Sequence, residues 1–253
     1  MKKHLSTFAL AARGSFWRVL AVTLAAALLC AVLLWLAPGQ SREVVGHDAA
    51  GEPILQTGGF LSASVMVKKS FCRLPVMAGF ALVLWLLSRV GSGRGTQPGY
   101  TALRLRIAPW RIAVLWTVYD LVMLLFYRAA VTAAVYGVIG RRLEGTGPQA
   151  LWLASYTNAF LHNLLPLRDP LGWSAMVAVT LLGAVSCALC AARKWRGRES
   201  VAPVSAIVFT EAALFIPVGS ALCVALTVIA GILLGYGIVG LFSGEEEETH
   251  ETV

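Results

Sequence analysis

Charged residues are scarce in this chain: Asp, Glu, Lys and Arg together make up 13% of its 253 residues. A water-soluble domain of this size usually carries about twice that charged fraction. Hydrophobic residues make up 58%, and so much apolar surface cannot all be buried inside one small soluble core. Because lipid is the solvent that accommodates this excess, the composition predicts an integral membrane protein.

Sequence signatures of several enzyme classes are missing as well. The chain has no G-x-x-x-x-G-K-[ST] phosphate loop, no H-E-x-x-H and no G-x-S-x-G, so it does not hydrolyse ATP through a phosphate loop of its own. Its four histidines are scattered singly, which argues against a local metal cluster. We therefore predict that the chain is not an enzyme and has neither a cofactor nor a metal site.

Two features invite other interpretations. Cys187 and Cys190 have C-x-x-C spacing but lie inside an apolar run without a second pair, so buried thiols are favoured over a metal or redox role. The net charge of +8 would suggest nucleic acid in a soluble protein. Here the basic residues lie beside apolar runs, which is typical of loops that touch anionic lipid, and we expect membrane lipids rather than nucleic acid as partners.

Long hydrophobic runs are what the sequence has in abundance. They predict an all-α, polytopic transmembrane helical bundle of about six spans that forms a single domain over 1–253. The last apolar stretch holds 39 residues, more than one crossing needs, and Pro217 is its only strong breaker. Whether this stretch crosses once or twice stays open. The predicted spans are 16–37, 74–90, 112–139, 173–192, 204–216 and 220–242.

Two shorter amphipathic segments accompany the spans. Residues 1–15 are basic on one side, which predicts an interfacial helix on the cytoplasmic leaflet, with a frayed N-terminus as the alternative. In 150–167, Leu153, Tyr156, Phe160, Leu161 and Leu164 recur at helical spacing. We interpret 150–167 as an interfacial or partly re-entrant helix at the outer face, before span four. Its other faces carry the polar residues Asn158, His162 and Asn163.

The loop charges predict an orientation. With six spans, 13 Lys and Arg residues fall on the side that holds both termini, and seven fall on the opposite side. Cytoplasmic loops carry the excess of basic residues. We therefore expect a multi-pass protein of the bacterial plasma membrane with both termini in the cytoplasm.

Three ionisable residues fall inside predicted spans: Asp120, Arg128 and Glu211. A charge in lipid costs several kcal/mol unless it is paired or hydrated, so each should face protein or water. Asp120 and Arg128 are about 80° apart around a helix and about 12 Å apart along it, too distant for a direct bond. One hypothesis pairs Glu211 with Arg128. A substrate path or relay is one interpretation, and an interhelical polar clamp, the commoner use in small bundles, is the other.

A basic segment leads directly into span three. It runs over 100–111, and the side chains that could transmit force from a soluble partner are Tyr100, Arg104, Arg106, Trp110 and Arg111. The alternative is an ordinary cytoplasmic loop, since cytoplasmic loops of membrane proteins generally carry an excess of Lys and Arg.

This layout resembles the type-2 membrane subunits of ATP-binding-cassette exporters. In that family a coupling helix lies between spans two and three, where this chain has YTALRLRIAPWRIAVLW (100–116). The stretch SYTNAFLHNLLPLRDPLGW (155–173) is similar to an element of permease-like proteins of anaerobic Gram-positive bacteria. The family's re-entrant element lies between its last two spans, whereas the comparable element here precedes span four.

The resemblance implies a permease subunit that moves an unknown substrate by alternating access. It implies a separate ATP-binding subunit on the cytoplasmic face and a second permease chain, identical or homologous. Two other functions stay open at this point: a non-transporting membrane scaffold or assembly protein, and a membrane-embedded enzyme. The scaffold predicts that neutral replacements of the intramembrane charged residues are tolerated.

Overall fold

The structure, a computed structural model, describes residues 2–38, 40–47, 53–89, 109–144 and 148–195, together with six separate positions between 225 and 235. Within these ranges the chain is helical apart from one two-stranded hairpin. The elements are α1 (Lys2–Leu36), β1 (Gln40–His47), β2 (Pro53–Leu61), α2 (Ala63–Ser70), α3 (Arg73–Leu87), α4 (Pro109–Arg142), α5 (Pro148–Thr157), α6 (Ala159–Leu164) and α7 (Pro170–Trp195).

Four helices build the core of the described region. α1 packs against α3 and α4, and α7 packs against α4 and more lightly against α3. Buried side chains from each helix meet in one cluster, among them Val19, Phe80, Tyr127 and Ala184. This arrangement confirms the predicted helical bundle for the described part of the chain.

Three described helices are long and apolar enough to cross a membrane: Ala12–Leu36, Trp110–Arg142 and Gly172–Ala192. They correspond to predicted spans one, three and four. α3 has 15 residues, about 22 Å of helix, and falls short of a hydrocarbon layer of about 30 Å. α2 and α3 together are long and apolar enough for a broken span or a re-entrant loop bent by 61°, so predicted span two stays a prediction. Predicted span five and all but six separate, helical positions of span six lie outside the described residues.

The N-terminal segment departs from expectation. Residues 1–15 do not form a separate interfacial helix, because α1 continues without a break from Lys2 to Leu36. The sequence contains no proline before Pro38, and a single glycine at Gly14 costs only about 1 kcal/mol in a helix. Ser15, at the predicted boundary, is buried and bonded to another helix, which holds the junction in helical form.

A β-hairpin was not predicted. β1 and β2 pair antiparallel, with Val44 opposite Leu55 and His47 opposite Pro53, so the all-α prediction needs this addition. An isolated two-stranded hairpin is marginal by itself, and its glycines and Pro53 weaken the strand pattern in the sequence. The hairpin follows α1 directly and β1 contacts α2.

The predicted amphipathic helix at 150–167 is present but broken in two. α5 ends at Thr157 and α6 begins at Ala159, with Asn158 between them in an extended conformation. The break splits the predicted apolar face. Leu153 and Tyr156 are exposed, whereas Phe160, Leu161 and Leu164 are buried.

Candidate intramembrane polar site

Two of the three predicted intramembrane charged residues are found inside the bundle. Asp120 is 1% exposed and Arg128 is 8% exposed, and both lie on α4 within a helix that could span a membrane. Measured along α4 from Trp110, they stand about 15 Å and about 27 Å into the helix. Their separation of about 12 Å along one helix rules out a direct bond between them. The third, Glu211, lies outside the described residues.

Asp120 is the most poorly satisfied group in this region. Among the described residues, neither of its carboxylate oxygens has a hydrogen-bond partner. Its neighbours one helical turn away on the same face, Trp116 and Leu124, are buried too. From α7, Cys187 lies within electrostatic range of Asp120, and its thiol is 3.5 Å from the carbonyl oxygen of Leu84. Asp120 is therefore surrounded mostly by apolar groups, and no described hydrogen-bond donor reaches its carboxylate.

A polar contact between α1 and α4 lies next to this carboxyl. The hydroxyls of Ser15 and Tyr119 are 2.9 Å apart and buried. At the other end of α1, the Arg142 guanidinium donates to the carbonyl of Ala37. From the first contact to the second, the residue numbers rise along both helices, from 15 to 37 on the α1 side and from 119 to 142 on α4. The helices α1 and α4 therefore run parallel. That register places the buried Thr23 near the level of Arg128. This contact between α1 and α4 could not be predicted from the sequence, because Ser and Tyr at single positions carry no periodic pattern.

Close helix packing surrounds the polar groups. The Tyr127 hydroxyl donates to the carbonyl of Val76 on α3 at 2.5 Å, and the two rings of Tyr127 and Phe80 lie 6.1 Å apart. A Cβ added at Gly79 would lie 2.6 Å from the Tyr127 hydroxyl and 2.7 Å from Cβ of Ala26. Gly79 therefore lets α1, α3 and α4 meet at one point, as small residues do in membrane bundles.

The hairpin, α2, α5 and α6 lie at the end of the bundle at which α1 ends. We call this the hairpin end. Asn158 is buried there, accepts a hydrogen bond from the Phe160 amide at 3.0 Å and donates to Ser64 on α2 at 3.4 Å. It is thus an N-cap of α6 and a link to α2. The Tyr136 hydroxyl donates to the Leu161 carbonyl at 3.0 Å. These bonds attach the broken amphipathic helix to α2 and α4.

The two other predicted polar residues of this helix differ in their surroundings. His162 Nε2 is 3.1 Å from a carboxylate oxygen of Asp169, just before α7. Its ring also lies 6.2 Å from that of Tyr156. Asn163 is half-buried. None of these geometries sets up a reactive centre, and the described residues contain no group of three His, Cys, Asp or Glu side chains that could hold a metal ion.

The sequence predicts Arg142 only as part of a basic loop after span three. Its Nη1 lies 3.0 Å from the carbonyl oxygens of Leu34 and Trp35. The last carbonyls of a helix have no partner within it and carry partial negative charge. Arg142 therefore caps α1 from the end of α4, a role that spacing along the chain could not reveal.

The predicted coupling residues are only partly described. Tyr100, Arg104 and Arg106 lie outside the described residues. Trp110 and Arg111 occupy the first turn of α4 and are exposed. The Arg111 guanidinium carbon is 5.1 Å from the centre of the Trp110 ring. Both side chains are therefore available at the start of α4, at the end of the bundle opposite the hairpin.

Comparison with known proteins gives no further guide, because no protein-family model, curated protein or solved structure matches this chain.

Proposed function

We propose that the chain is the membrane-spanning permease subunit of an ATP-driven transporter in the bacterial plasma membrane. The observation that supports this best is the burial of Asp120 and Arg128 between helices that could cross a membrane. Charged residues at such depth commonly mark a substrate or ion pathway. Since the sequence has no phosphate loop, energy would come from a separate ATP-binding subunit.

In this proposal both termini and the start of α4 face the cytoplasm. The exposed Trp110 and Arg111, with Tyr100, Arg104 and Arg106 before them, would receive the motion of the ATPase. The outward sides of α1 and α4 expose large apolar side chains such as Leu28 and Val118. These surfaces suit lipid and a second permease chain, whether identical or homologous.

The first test is co-purification. Full-length chain is purified in mild detergent from membranes of its native source, and its partners are identified by mass spectrometry. We expect a subunit with a phosphate loop, retained by wild type and lost when Arg104 and Arg106 are both changed to Glu. Arg141→Glu with Arg168→Glu, at the hairpin end, is the matched control and should retain it. Equal retention of the ATPase by both double variants would contradict the proposed coupling surface.

The second test separates transport from scaffolding. Asp120→Asn and Arg128→Gln remove the ionisable groups and keep polar side chains, so a scaffold should keep its activity. The permease proposal expects normal membrane abundance with loss of ATP-driven transport in reconstituted vesicles containing the ATPase. Loss of abundance alone would support the polar-clamp interpretation instead.

A further inference from the structure

One buried ionisable side chain has none of its usual partners in the part of the chain that the structure describes. Asp120 is 1% exposed, and among the described residues neither oxygen of its carboxyl group accepts a hydrogen bond. Buried carboxylates in proteins are normally paired with a cation or hold several donors. Since the described residues supply no partner, we look for what makes Asp120 acceptable inside this bundle in its own chemical state or in a bound ligand.

Among the described residues, no cation is positioned to neutralise Asp120. On α1, the described side chains of Arg13 and Arg18 are exposed. The α3 sequence has Arg73 only, at its hairpin end, and 172–192 of α7 contains no charged residue. Arg128 is about 12 Å away along the same helix. The apolar stretch 204–242 contains no Lys, Arg or His at all, so it brings no positive charge either.

The titratable groups that face Asp120 supply no charge. The Cys187 thiol approaches from α7, and the Tyr119 phenol, next along α4, is bonded to the Ser15 hydroxyl of α1. Thiols and phenols are neutral or become anions, so neither can balance a carboxylate. A metal cation would need several oxygen ligands, and no cluster of three acidic, Cys or His side chains exists in the described ranges.

We propose that Asp120 is a proton-binding site in the interior of the bundle, occupied at neutral pH so that the side chain is a neutral carboxylic acid. A proton is the one cation that needs no further ligand, and it converts a costly buried charge into a polar group. The neutral acid also gains an O–H donor that the carboxylate lacks. This inference does not rest on the proposed function, because it concerns the state of Asp120 whatever the bundle carries.

Dicyclohexylcarbodiimide tests the proposal on full-length protein in membranes at neutral pH. The reagent is apolar and reacts with the neutral acid: the carboxyl proton goes to a reagent nitrogen, and the carboxyl oxygen adds to the central carbon. The adduct rearranges to a stable N-acylurea, with nothing oxidised and nothing released. We expect this adduct on the peptide that contains Asp120. Asp120→Asn should lose it, and Asp120→Glu should keep it.

A matched control lies on the same stretch of chain. Glu144, just beyond α4, is exposed and should react with a water-soluble carbodiimide that leaves Asp120 unmodified. Infrared difference spectroscopy of wild type against Asp120→Asn then decides independently of reagent access. A carbonyl band of a protonated carboxylic acid, present in wild type and missing in the variant, supports the proposal. A carboxylate band in its place overturns it, whatever the labelling result.

Discussion

Polar residues at the hairpin end and Asp120 in the interior of the bundle differ in their hydrogen bonding. At the hairpin end, Asn158 and Arg142 are each bonded to more than one group. In the interior, Asp120 has no hydrogen-bond partner in the described part of the chain. Polar groups at the hairpin end therefore hold elements together, whereas Asp120 contributes no bond to the fold that is described. A group that does not stabilise the fold is the better candidate for function.

The two regions also differ in what holds them. Hydrogen bonds join α2, α4, α5 and α6 at the hairpin end. In the interior, small and aromatic residues pack closely around Gly79, beside the hydrogen bond from Tyr127 to Val76. Substitutions should therefore have region-specific effects. In each case below, the full-length chain is purified in detergent and its thermal unfolding midpoint is measured.

The largest effect should come from Gly79→Ala, which tests packing in the interior. The added methyl group would lie closer than 3.0 Å to both Tyr127 and Ala26, so we expect a loss of about 3 kcal/mol from overpacking. Gly137→Ala adds the same methyl group on α4, where nothing described lies within 4 Å. It should leave stability unchanged or raise it by up to about 1 kcal/mol. Equal midpoints for the two variants would remove the argument for a close contact at Gly79.

Next comes Arg142→Gln, which tests the hydrogen bonds of the hairpin end. Loss of a charged donor shared by the last carbonyls of α1 should cost about 2 kcal/mol. The control is Arg141→Gln: Arg141 is the preceding residue of α4 and is exposed, and surface charges contribute little. A fall in the unfolding midpoint of the Arg141 variant as large as that of the Arg142 variant would mean that general charge, not capping, is responsible.

Asn158→Ala is a smaller change at the same end. It removes the N-cap of α6 and the link to Ser64, and we expect a loss of about 1 kcal/mol. Asn158→Asp keeps the acceptor oxygen for the Phe160 amide and should recover most of that stability. If the Asp variant is as unstable as the Ala variant, the cap is not what Asn158 contributes.

The smallest effect on stability should follow Asp120→Leu, which compares the regions most directly. Leu has the same heavy-atom branching as Asp and needs no hydrogen bond, so stability should be nearly unchanged. Polar residues of the hairpin end should not tolerate such a change. A marked fall in the unfolding midpoint would show that Asp120 has a stabilising partner. Asp120 would then stabilise the fold as the polar residues of the hairpin end do.

The sequence predicted the long apolar helices well because each one must satisfy its own backbone in lipid, and that requirement leaves a long apolar run. Predicted spans one, three and four correspond to α1, α4 and α7. The hairpin and the break at Asn158 were missed for a different reason. Both depend on contacts with distant residues, such as the bond from Asn158 to Ser64, and local periodicity carries no record of these.

The candidate site likewise has one part that the local sequence predicts and another that depends on residues far apart in the chain. Asp120 and Arg128 could be identified because an ionisable residue inside an apolar run is conspicuous, and the structure buries both. Their neighbours could not be identified, since Ser15 and Cys187 come from helices far away in the chain. The predicted partnership of Arg128 with Glu211 stays a prediction, because Glu211 is outside the described residues.

The cap that Arg142 places on α1 has a consequence for the order of biosynthesis. Arg142 follows Ala37 by 105 positions, so a ribosome has finished α1 long before it makes the residue that completes the end of that helix. Until α4 packs beside it, the last carbonyls of α1 depend on water or on other groups for hydrogen bonds. Truncated chains that stop before Arg142 should therefore leave the end of α1 open to proteases, and chains extended just past it should protect it.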